Sequence, residues 1–222
     1  MKKTTLLEAL PELWEALGQT ALMVSLAFAI AVVIGTVLGV LLITTATGGL
    51  LQNRPCNAIF GAIINLGRSL PFIILLIAII PLTRLIVGTA FGPEAAVVPL
   101  AVGSIPFFAR VVESALREVA RGKIEAAQAM GANSRQIVTK VLLPEAAPSL
   151  VSGATLALVM LVGFSAMAGT IGGGGLGDFA IRYGYQRFNT PVLLMAVILL
   201  IIVVQAVQSM GDFIVRRMAH LR

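Results

Sequence analysis

Residues 16–53 contain no charged side chain, and the stretch from Thr20 to Thr44 within them is almost entirely apolar. About 20 apolar residues are enough for an α-helix to cross the hydrocarbon core of a bilayer. The remainder of the chain offers no polar surface to cover such a helix in water, because 58% of its 222 residues are apolar and only 12% are charged. That balance is outside the range of soluble domains. The sequence therefore predicts an integral membrane protein with a first span at about residues 18–44.

Four more apolar stretches bring the prediction to five transmembrane helices, the others being at about residues 57–82, 94–116, 147–171 and 189–212. The second stretch contains Arg68 and Pro71, so its helix must kink or begin deep in the cytoplasmic interface. The third is long enough only if it continues through the letters VVESAL, and its prolines at 99 and 106 indicate a bent helix packed inside protein. The expected fold class is an all-α membrane protein that forms a single domain over residues 1–222.

The N-terminus begins Met-Lys-Lys, as a signal peptide does. However, Glu8, Pro11, Glu12 and Glu15 interrupt the apolar region that a signal peptide requires, and no small-residue cleavage pattern follows. We expect an amphipathic lead-in that is retained in the mature protein.

The positions of lysine and arginine predict an external N-terminus and a cytoplasmic C-terminus, because cytoplasmic loops retain basic residues. In this orientation ten basic residues are cytoplasmic: Arg54, the six from Arg110 to Lys140, Arg216, Arg217 and Arg222. Five are external: Lys2, Lys3, Arg84, Arg182 and Arg187. The same retention accounts for the net charge of +6, so nucleic acid is not expected as a partner.

Several kinds of chemistry are excluded by what the sequence lacks. Cys56 is the only cysteine and His220 the only histidine, so neither an internal disulfide nor a His/Cys metal cluster is expected. The spans contain no paired aspartates and no H-E-x-x-H, as an intramembrane hydrolase would need. No G-x4-GK[ST] motif for ATP binding is present either. We expect no catalytic residues and no cofactor in this chain.

A polar segment, residues 118–146, separates the third and fourth spans. Lys123 to Met130 is rich in alanine and other helix formers, and Gly131 follows where a left-handed residue would end the helix. Asn133 or Ser134 is then able to cap a second helix, with Gln136 placed for a capping box. The apolar stripe of this second helix consists of Ile137, Val138, Val141 and Leu142 and lasts until Pro144.

These two helices offer a docking surface to a cytoplasmic partner. Ala126 and Ala129, with Ala127 beside them, form a small surface that a partner is able to approach closely, and the charges of Glu125, Arg135 and Lys140 lie at its rim. The alternative is a long solvated loop with incidental helix.

The spacing of this segment favours docking. Glu125-Ala126-Ala127, then Gly131, then Leu143-Pro144 resembles the EAA-x3-G-x9-I-x-LP signature of permease subunits of bacterial ATP-binding-cassette (ABC) importers, with Val141 in place of isoleucine. The resemblance implies a type I importer fold in which this segment is the coupling helix that inserts in a groove of a separate ATPase subunit. The ATPase-coupling residues so implied are Glu125, Ala126, Ala127, Gly131, Val141, Leu143 and Pro144, and ATP and Mg would be bound by the partner.

Two further stretches, from Gly67 to Thr89 and from Val162 to Phe188, resemble the permease subunit of methionine importers, and the similarity extends over roughly residues 20–217. It implies a translocation pathway for L- and D-methionine across the bacterial inner membrane. It also implies a permease homodimer, two cytoplasmic ATP-binding subunits and a periplasmic or lipid-anchored methionine-binding protein. An importer for another amino acid or small solute is the alternative within this class. A passive channel is a further alternative, although a channel would not need a docking helix.

Ser165 and Met167 lie among small residues in the middle of the fourth span. Ordinary helix packing explains the small residues. The more specific hypothesis is that this stretch faces the axis of the dimer and lines the translocation pathway, with Met167 as a soft apolar gate.

At the outer end of the fourth span, the glycines from Gly172 to Gly175 and Gly177 indicate either tight, irregular backbone or a flexible loop. Asp178, Arg182 and Arg187 follow, among aromatic residues, and are candidates for docking the binding protein. The alternative is an interfacial aromatic belt.

Arg68 and Arg110 are intramembrane or interfacial charges, and the sequence leaves open whether either pairs with Glu94 or Glu113. A monomer would risk exposing Arg68 to lipid, which again predicts a dimer.

Overall fold

The computed structural model describes residues 6–219, and every secondary-structure element in this range is helical. Predictions that concern Lys2, Lys3, His220 and Arg222 lie outside the described residues. Four helices are long and apolar enough to cross a membrane: Glu8–Thr45, Pro93–Arg117, Ser134–Gly169 and Thr190–Met218. A bent helix pair within residues 54–78 is a fifth candidate span. The described chain is thus an all-helical membrane protein with four or five spans.

The first helix, α1, runs from Leu6 to Thr45 without interruption, so the amphipathic lead-in is the beginning of the first span. The lead-in is helical because its apolar residues recur every three or four positions. Ala9, Leu13 and Ala16 are buried there against apolar residues of the chain's second half, namely Leu176, Phe179, Val192 and Ala196.

The second predicted span is broken into three helices, α2 (Arg54–Ser69), α3 (Phe72–Ala78) and α4 (Ile80–Val87). Asn53 caps α2 by accepting a hydrogen bond of 3.1 Å from the Cys56 N–H. α2 and α3 meet at an angle of 103°. The bend lies at Pro71, which has no N–H to continue the helix and disfavours helical geometry in the residue before it. The predicted kink is therefore confirmed.

The third span, α5, runs from Pro93 to Arg117 and is the most buried of the candidate spans. It continues through VVESAL, as predicted, and Pro99 and Pro106 both lie inside it. It packs closely on α1, because a Cβ on Gly39 of α1 would lie only 2.6 Å from the Ala109 carbonyl oxygen.

After α5 come α6 (Arg121–Ala129) and α7 (Ser134–Ile137). α7 passes through a π-helical turn, Val138–Leu142, directly into α8 (Leu143–Gly169). The second short helix, whose apolar stripe is predicted to last until Pro144, is therefore continuous with the fourth span. Pro144 lies in the first turn of α8, where proline is tolerated, and the wider π-turn before it relieves the clash of the ring with the preceding turn.

The last elements are α9 (Gly175–Phe179), a π-helical segment (Ala180–Tyr185) and α10 (Thr190–Ala219). The end of the bundle that contains α6 and α7 is called the α6 end below. The opposite end, where α9 meets the start of α1, is called the α9 end.

Candidate functional site

The turn after α6 has the geometry that its sequence predicts. Gly131 has φ +80°, the left-handed conformation that glycine adopts without strain. Its N–H donates to the Gln128 carbonyl at 2.9 Å, and the Ala132 N–H donates to the Ala127 carbonyl at 3.0 Å. These two bonds form a Schellman motif, which fixes the direction in which the chain leaves α6.

The next helix begins with a complete capping box. Asn133, rather than Ser134, is the cap: its Oδ1 accepts from the Gln136 N–H, and its own N–H donates to Gln136 Oε1, both at 2.9 Å. Because both backbone N–H groups find partners within four residues, the connection between α6 and α7 is stiff. α6, the Gly131 turn and α7 therefore form an ordered unit, and the alternative of a solvated loop is not supported.

The outward side of α6 is a compact apolar knob. We define the α6 knob as Glu125, Ala126, Ala129, Met130 and Gly131, all of which are exposed. Met130 is 82% exposed, an unusual position for a large apolar side chain. Sequence reasoning missed Met130, although its place at the end of the Ala126 and Ala129 face could have pointed to it. Among the predicted rim charges, Arg135 and Lys140 are also exposed.

Ala127 does not belong to this surface, which corrects one expectation. It is only 4% exposed, because it lies on the opposite face of α6 and packs into an apolar cluster with Leu116, Ile137, Leu142 and Ala146. Of the other predicted coupling residues, Val141 and Leu143 are half-buried and Pro144 is exposed. Ala127 holds the helix in place, and the α6 knob is what remains accessible.

Polar contacts connect the same unit to the two neighbouring spans. Lys123 Nζ lies 2.5 Å from Glu145 Oε2, which joins α6 to the first turn of α8. Ser149 Oγ donates to Glu118 Oε2 at 2.8 Å, which joins α8 to the end of α5. The α6 helix is therefore tied directly to α8, and α8 is tied to the end of α5.

A cavity of about 560 Å³ separates α6 from the end of α1. Its polar lining includes Thr44, Asn57, Arg117, Arg121 and Glu125. Open space therefore lies between α6 and the end of α1, next to the apolar cluster that buries Ala127.

At the α9 end, the glycine run is tightly packed backbone, and the flexible-loop alternative is not supported. Gly174 and Gly175 have φ of +74° and +76°. The Gly175 N–H donates to Gln19 Oε1 at 2.8 Å, and the Leu176 N–H donates to Thr20 Oγ1 at 2.9 Å. The run therefore attaches α9 to α1, which is distant in sequence.

Two of the predicted docking residues of this end, Asp178 and Arg182, lie in helix, and Arg187 lies in the turn before α10. Asp178 is buried, with 8% exposure, and forms an ion pair with Arg182, which is exposed. The guanidinium of Arg187 lies 4.4 Å from the centre of the Tyr183 ring. Asp178 thus orients Arg182 and is itself too buried to offer a docking contact. Arg182 and Arg187 remain on the surface.

Ser165 and Met167 face different environments although they are two residues apart. Ser165 is 2% exposed, and its hydroxyl donates to the Val162 carbonyl at 2.7 Å, as in ordinary helix packing. Met167 is 47% exposed on the surface of the chain. Of the two candidates, Met167 is the one whose side chain is exposed.

The open question about charge pairs has a definite answer. Arg110 pairs with Glu113 at 2.5 Å and also donates to Asn65 Oδ1 at 2.8 Å, while Arg117 pairs with the other oxygen of Glu113 at 2.5 Å. Glu94 and Arg68 form no ion pair within residues 6–219.

Comparison with known proteins gives consistent matches over nearly the whole chain. Residues 31–220 match the family described as "Binding-protein-dependent transport system inner membrane component". A protein of Vibrio cholerae named "Probable D-methionine transport system permease protein MetI" is 55% identical over 205 residues, covering 92% of this chain and 91% of that protein. The methionine import system permease protein MetP of Bacillus subtilis is 46% identical over 92% of each chain.

Solved structures agree with these matches. A chain of the MetNI methionine ABC transporter, in an inward facing conformation, is 48% identical, with a TM-score of 0.93 over 94% of this chain and 97% of that one. A chain of an amino acid ABC transporter is 18% identical, with a TM-score of 0.79 over 98% of this chain and 99% of that one, and is similar in fold.

Proposed function

The chain belongs to the family of binding-protein-dependent transport system inner membrane components, and we propose that it is the permease subunit of an ATP-driven methionine importer. Its relatives are named as methionine permeases, and a close structural neighbour is a methionine ABC transporter. The single observation that carries the coupled mechanism is the exposed α6 knob on an otherwise ordered and anchored unit. A passive channel has no use for such a knob.

The α6 knob is the contact for a cytoplasmic ATPase subunit, which binds ATP and Mg. Small residues at positions 126 and 129 allow a groove of the partner to approach the helix backbone, and Met130 supplies an apolar anchor. The predicted coupling residues have two different roles. Glu125, Ala126 and Gly131 belong to the contact surface, whereas Ala127, Val141, Leu143 and Pro144 join the knob to α8.

Movement of the knob tilts the spans because the connection is rigid. When the ATPase subunits close, α6 shifts with them, and the buried cluster around Ala127 together with the Lys123–Glu145 ion pair carries this shift to α5 and α8. The cavity beside α1 leaves room for it. This is a rigid-body mechanism in which a small displacement at one end reorients packed helices.

The complete importer contains two copies of this chain, two ATPase subunits and a separate methionine-binding protein, in the bacterial inner membrane. Five spans place the N-terminus outside and the C-terminus in the cytoplasm, so the α9 end is external. Arg182 and Arg187 there contact the binding protein. The translocation pathway for L- and D-methionine runs between the two copies, where Met167 is exposed.

Reconstitution tests this function. The chain is incorporated with its ATPase into liposomes, and methionine uptake and ATP hydrolysis are measured with and without methionine-loaded binding protein. We expect the binding protein to stimulate both. Gly131→Pro abolishes the stimulation, because proline does not reach φ +80° and cannot donate the hydrogen bond to Gln128. Gly122→Ala, in the first turn of α6 and free of steric contact, is the matched control and retains it.

Two outcomes separate the alternatives. An intact complex that hydrolyses ATP in response to another loaded binding protein, but not to methionine, identifies an importer of another amino acid or small solute. Methionine flux that continues without the ATPase identifies a passive channel and contradicts coupling.

A further inference from the structure

Arg68 lies in the last turn of α2, directly before the sharp bend at Leu70 and Pro71. Its side chain is exposed, and within the described residues it has neither an ion-pair nor a hydrogen-bond partner. Arg110 provides the contrast, because Glu113 and Asn65 hold its guanidinium. The charge of Arg68 is therefore left to be balanced by something outside residues 6–219.

The contact between α2 and α5 gives the depth of Arg68 in the membrane. A Cβ on the adjacent Gly67 would lie 2.7 Å from Pro106 Cγ, so the two helices touch at this level. Pro106 is close to the middle of α5, roughly 16 Å along the helix axis from its end at Arg117, at a rise of about 1.5 Å per residue. The hydrocarbon core is about 30 Å thick. Arg68 thus lies near the centre of the bilayer.

A guanidinium at this depth does not face lipid, because an isolated charge in hydrocarbon is strongly unfavourable. Charged groups inside membrane proteins face a protein interior or a water-filled path and have a partner there. Since Arg68 is exposed on this chain, it faces either a second copy of the chain or an aqueous path between copies.

A second copy has few carboxylates to offer at this depth. Of the ten Asp and Glu residues of the chain, Glu113 already binds Arg110 and Arg117. Asp212 is exposed on α10 at a comparable level, because the adjacent Gly211 packs against Thr155 in the middle of α8. The other eight lie near the ends of the spans or in the segments beyond them: Glu8, Glu12, Glu15, Glu94, Glu118, Glu125, Glu145 and Asp178. The counter-charge of Arg68 is therefore either Asp212 of a second copy or an anion of another molecule.

We propose that Arg68 binds the carboxylate of the transported amino acid at the midpoint of the pathway, an inference that rests on the proposed importer function. The planar guanidinium donates two parallel hydrogen bonds to a carboxylate. Leu70, two residues further along the chain and 44% exposed, is an apolar neighbour that suits an apolar side chain such as a thioether. The bend is fixed by Phe72, whose ring stacks on Phe164 of α8 at 4.1 Å. Movement of α8 is thus linked to the position of Arg68.

The test uses the complete importer in liposomes and records radiolabelled methionine uptake and ATP hydrolysis in the same sample. Arg68→Gln removes the charge, and we expect uptake per ATP hydrolysed to fall roughly tenfold, because charge-assisted bonds are the stronger class. ATP hydrolysis stimulated by the binding protein remains. Arg68→Lys keeps the charge and retains part of the uptake. Arg54→Gln, at the exposed start of the same helix, is the matched control and leaves the ratio unchanged.

Three results would overturn this role. Unchanged uptake per ATP in Arg68→Gln would show that the carboxylate is not bound there. Dissociation of the variant complex in size-exclusion chromatography would assign Arg68 to the contact between copies. Equal loss of uptake and of ATP hydrolysis in an intact complex would assign it to coupling. The unaltered complex is measured first, so an absence of methionine uptake there refutes the proposed function before any variant is compared.

Discussion

Arg110 and Glu113, one turn apart on α5, form an ion pair of 2.5 Å that also holds a neighbouring helix. The guanidinium of Arg110 reaches across to α2, where it donates to Asn65 Oδ1 at 2.8 Å and to the Gly61 carbonyl at 3.3 Å. Arg117 binds the second oxygen of Glu113. One buried carboxylate thus binds two arginines, and through Arg110 it holds α2 on the central helix.

Replacing Glu113 by glutamine tests this arrangement. The variant leaves two arginines without a counter-charge, and breaking a buried pair costs about 3 to 5 kcal/mol. Arg117 is largely exposed, with 65% of its side chain accessible, so solvent screens part of this cost. We therefore expect the free energy of unfolding to fall by about 2 to 3 kcal/mol, at or below the lower end of that range. It is measured as a lower thermal midpoint of the detergent-solubilised protein. Glu94→Gln, exposed in the first turn of α5, is the control. Equal midpoints for the two variants would contradict a structural role for Glu113.

The glycines at the α9 end predict a second effect on stability. A Cβ on Gly177 would lie 2.3 Å from the Ala166 carbonyl oxygen, and one on Gly169 would lie 2.3 Å from the Asp178 nitrogen. Because backbone atoms cannot rotate away, Gly177→Ala forces α8 and α9 apart. We expect the free energy of unfolding to fall by about 1 to 3 kcal/mol.

The matched control for this prediction is Gly18→Ala in α1, where the added Cβ meets nothing within 4 Å. There alanine favours the helix, and stability rises by up to about 1 kcal/mol. Thermal unfolding in detergent measures both variants. A Gly177→Ala protein as stable as Gly18→Ala would show that the two helices separate at no cost.

Local features of the α6 unit could be predicted from the sequence because their chemistry lies within a few residues. Gly131 ends α6 and Asn133 starts α7, as expected, since a Schellman motif and a capping box each need only neighbouring positions. The kink at Pro71 has the same local origin.

Features that depend on distant residues could not be predicted. The burial of Ala127 is determined by Leu116 and Leu142, and the order of the glycine run by hydrogen bonds to Gln19 and Thr20, 156 residues away. The burial of Asp178 could not be predicted because it arises where α9 packs between α1 and Gly169 of α8. Continuation of the helix past Pro144 depends on a π-turn for which periodicity gives no signal.

The exposed arginines of the α9 end predict how strongly the binding protein docks. The double variant Arg182→Gln with Arg187→Gln removes two surface charges, and such charges mainly accelerate association. We expect the binding-protein concentration for half-maximal ATP hydrolysis to rise by roughly tenfold at low salt and by less at high salt. Arg54→Gln, an exposed arginine at the opposite end of the bundle, is the control. An unchanged half-maximal concentration would show that these arginines do not dock the binding protein and would favour the alternative of an interfacial belt at the membrane surface.

Met167 gives the sharpest test of the pathway, because its side chain is 47% exposed and a larger residue fits the isolated chain. Met167→Trp should therefore fold and assemble normally. If the side chain faces the pathway between two copies, the added bulk blocks passage, and methionine uptake falls at least roughly tenfold while ATP hydrolysis continues. Ile201→Trp, 55% exposed on α10, places the same bulk on another outward face and should leave uptake intact. Normal uptake by Met167→Trp would locate the pathway elsewhere, whereas loss in both variants would indicate a general packing effect.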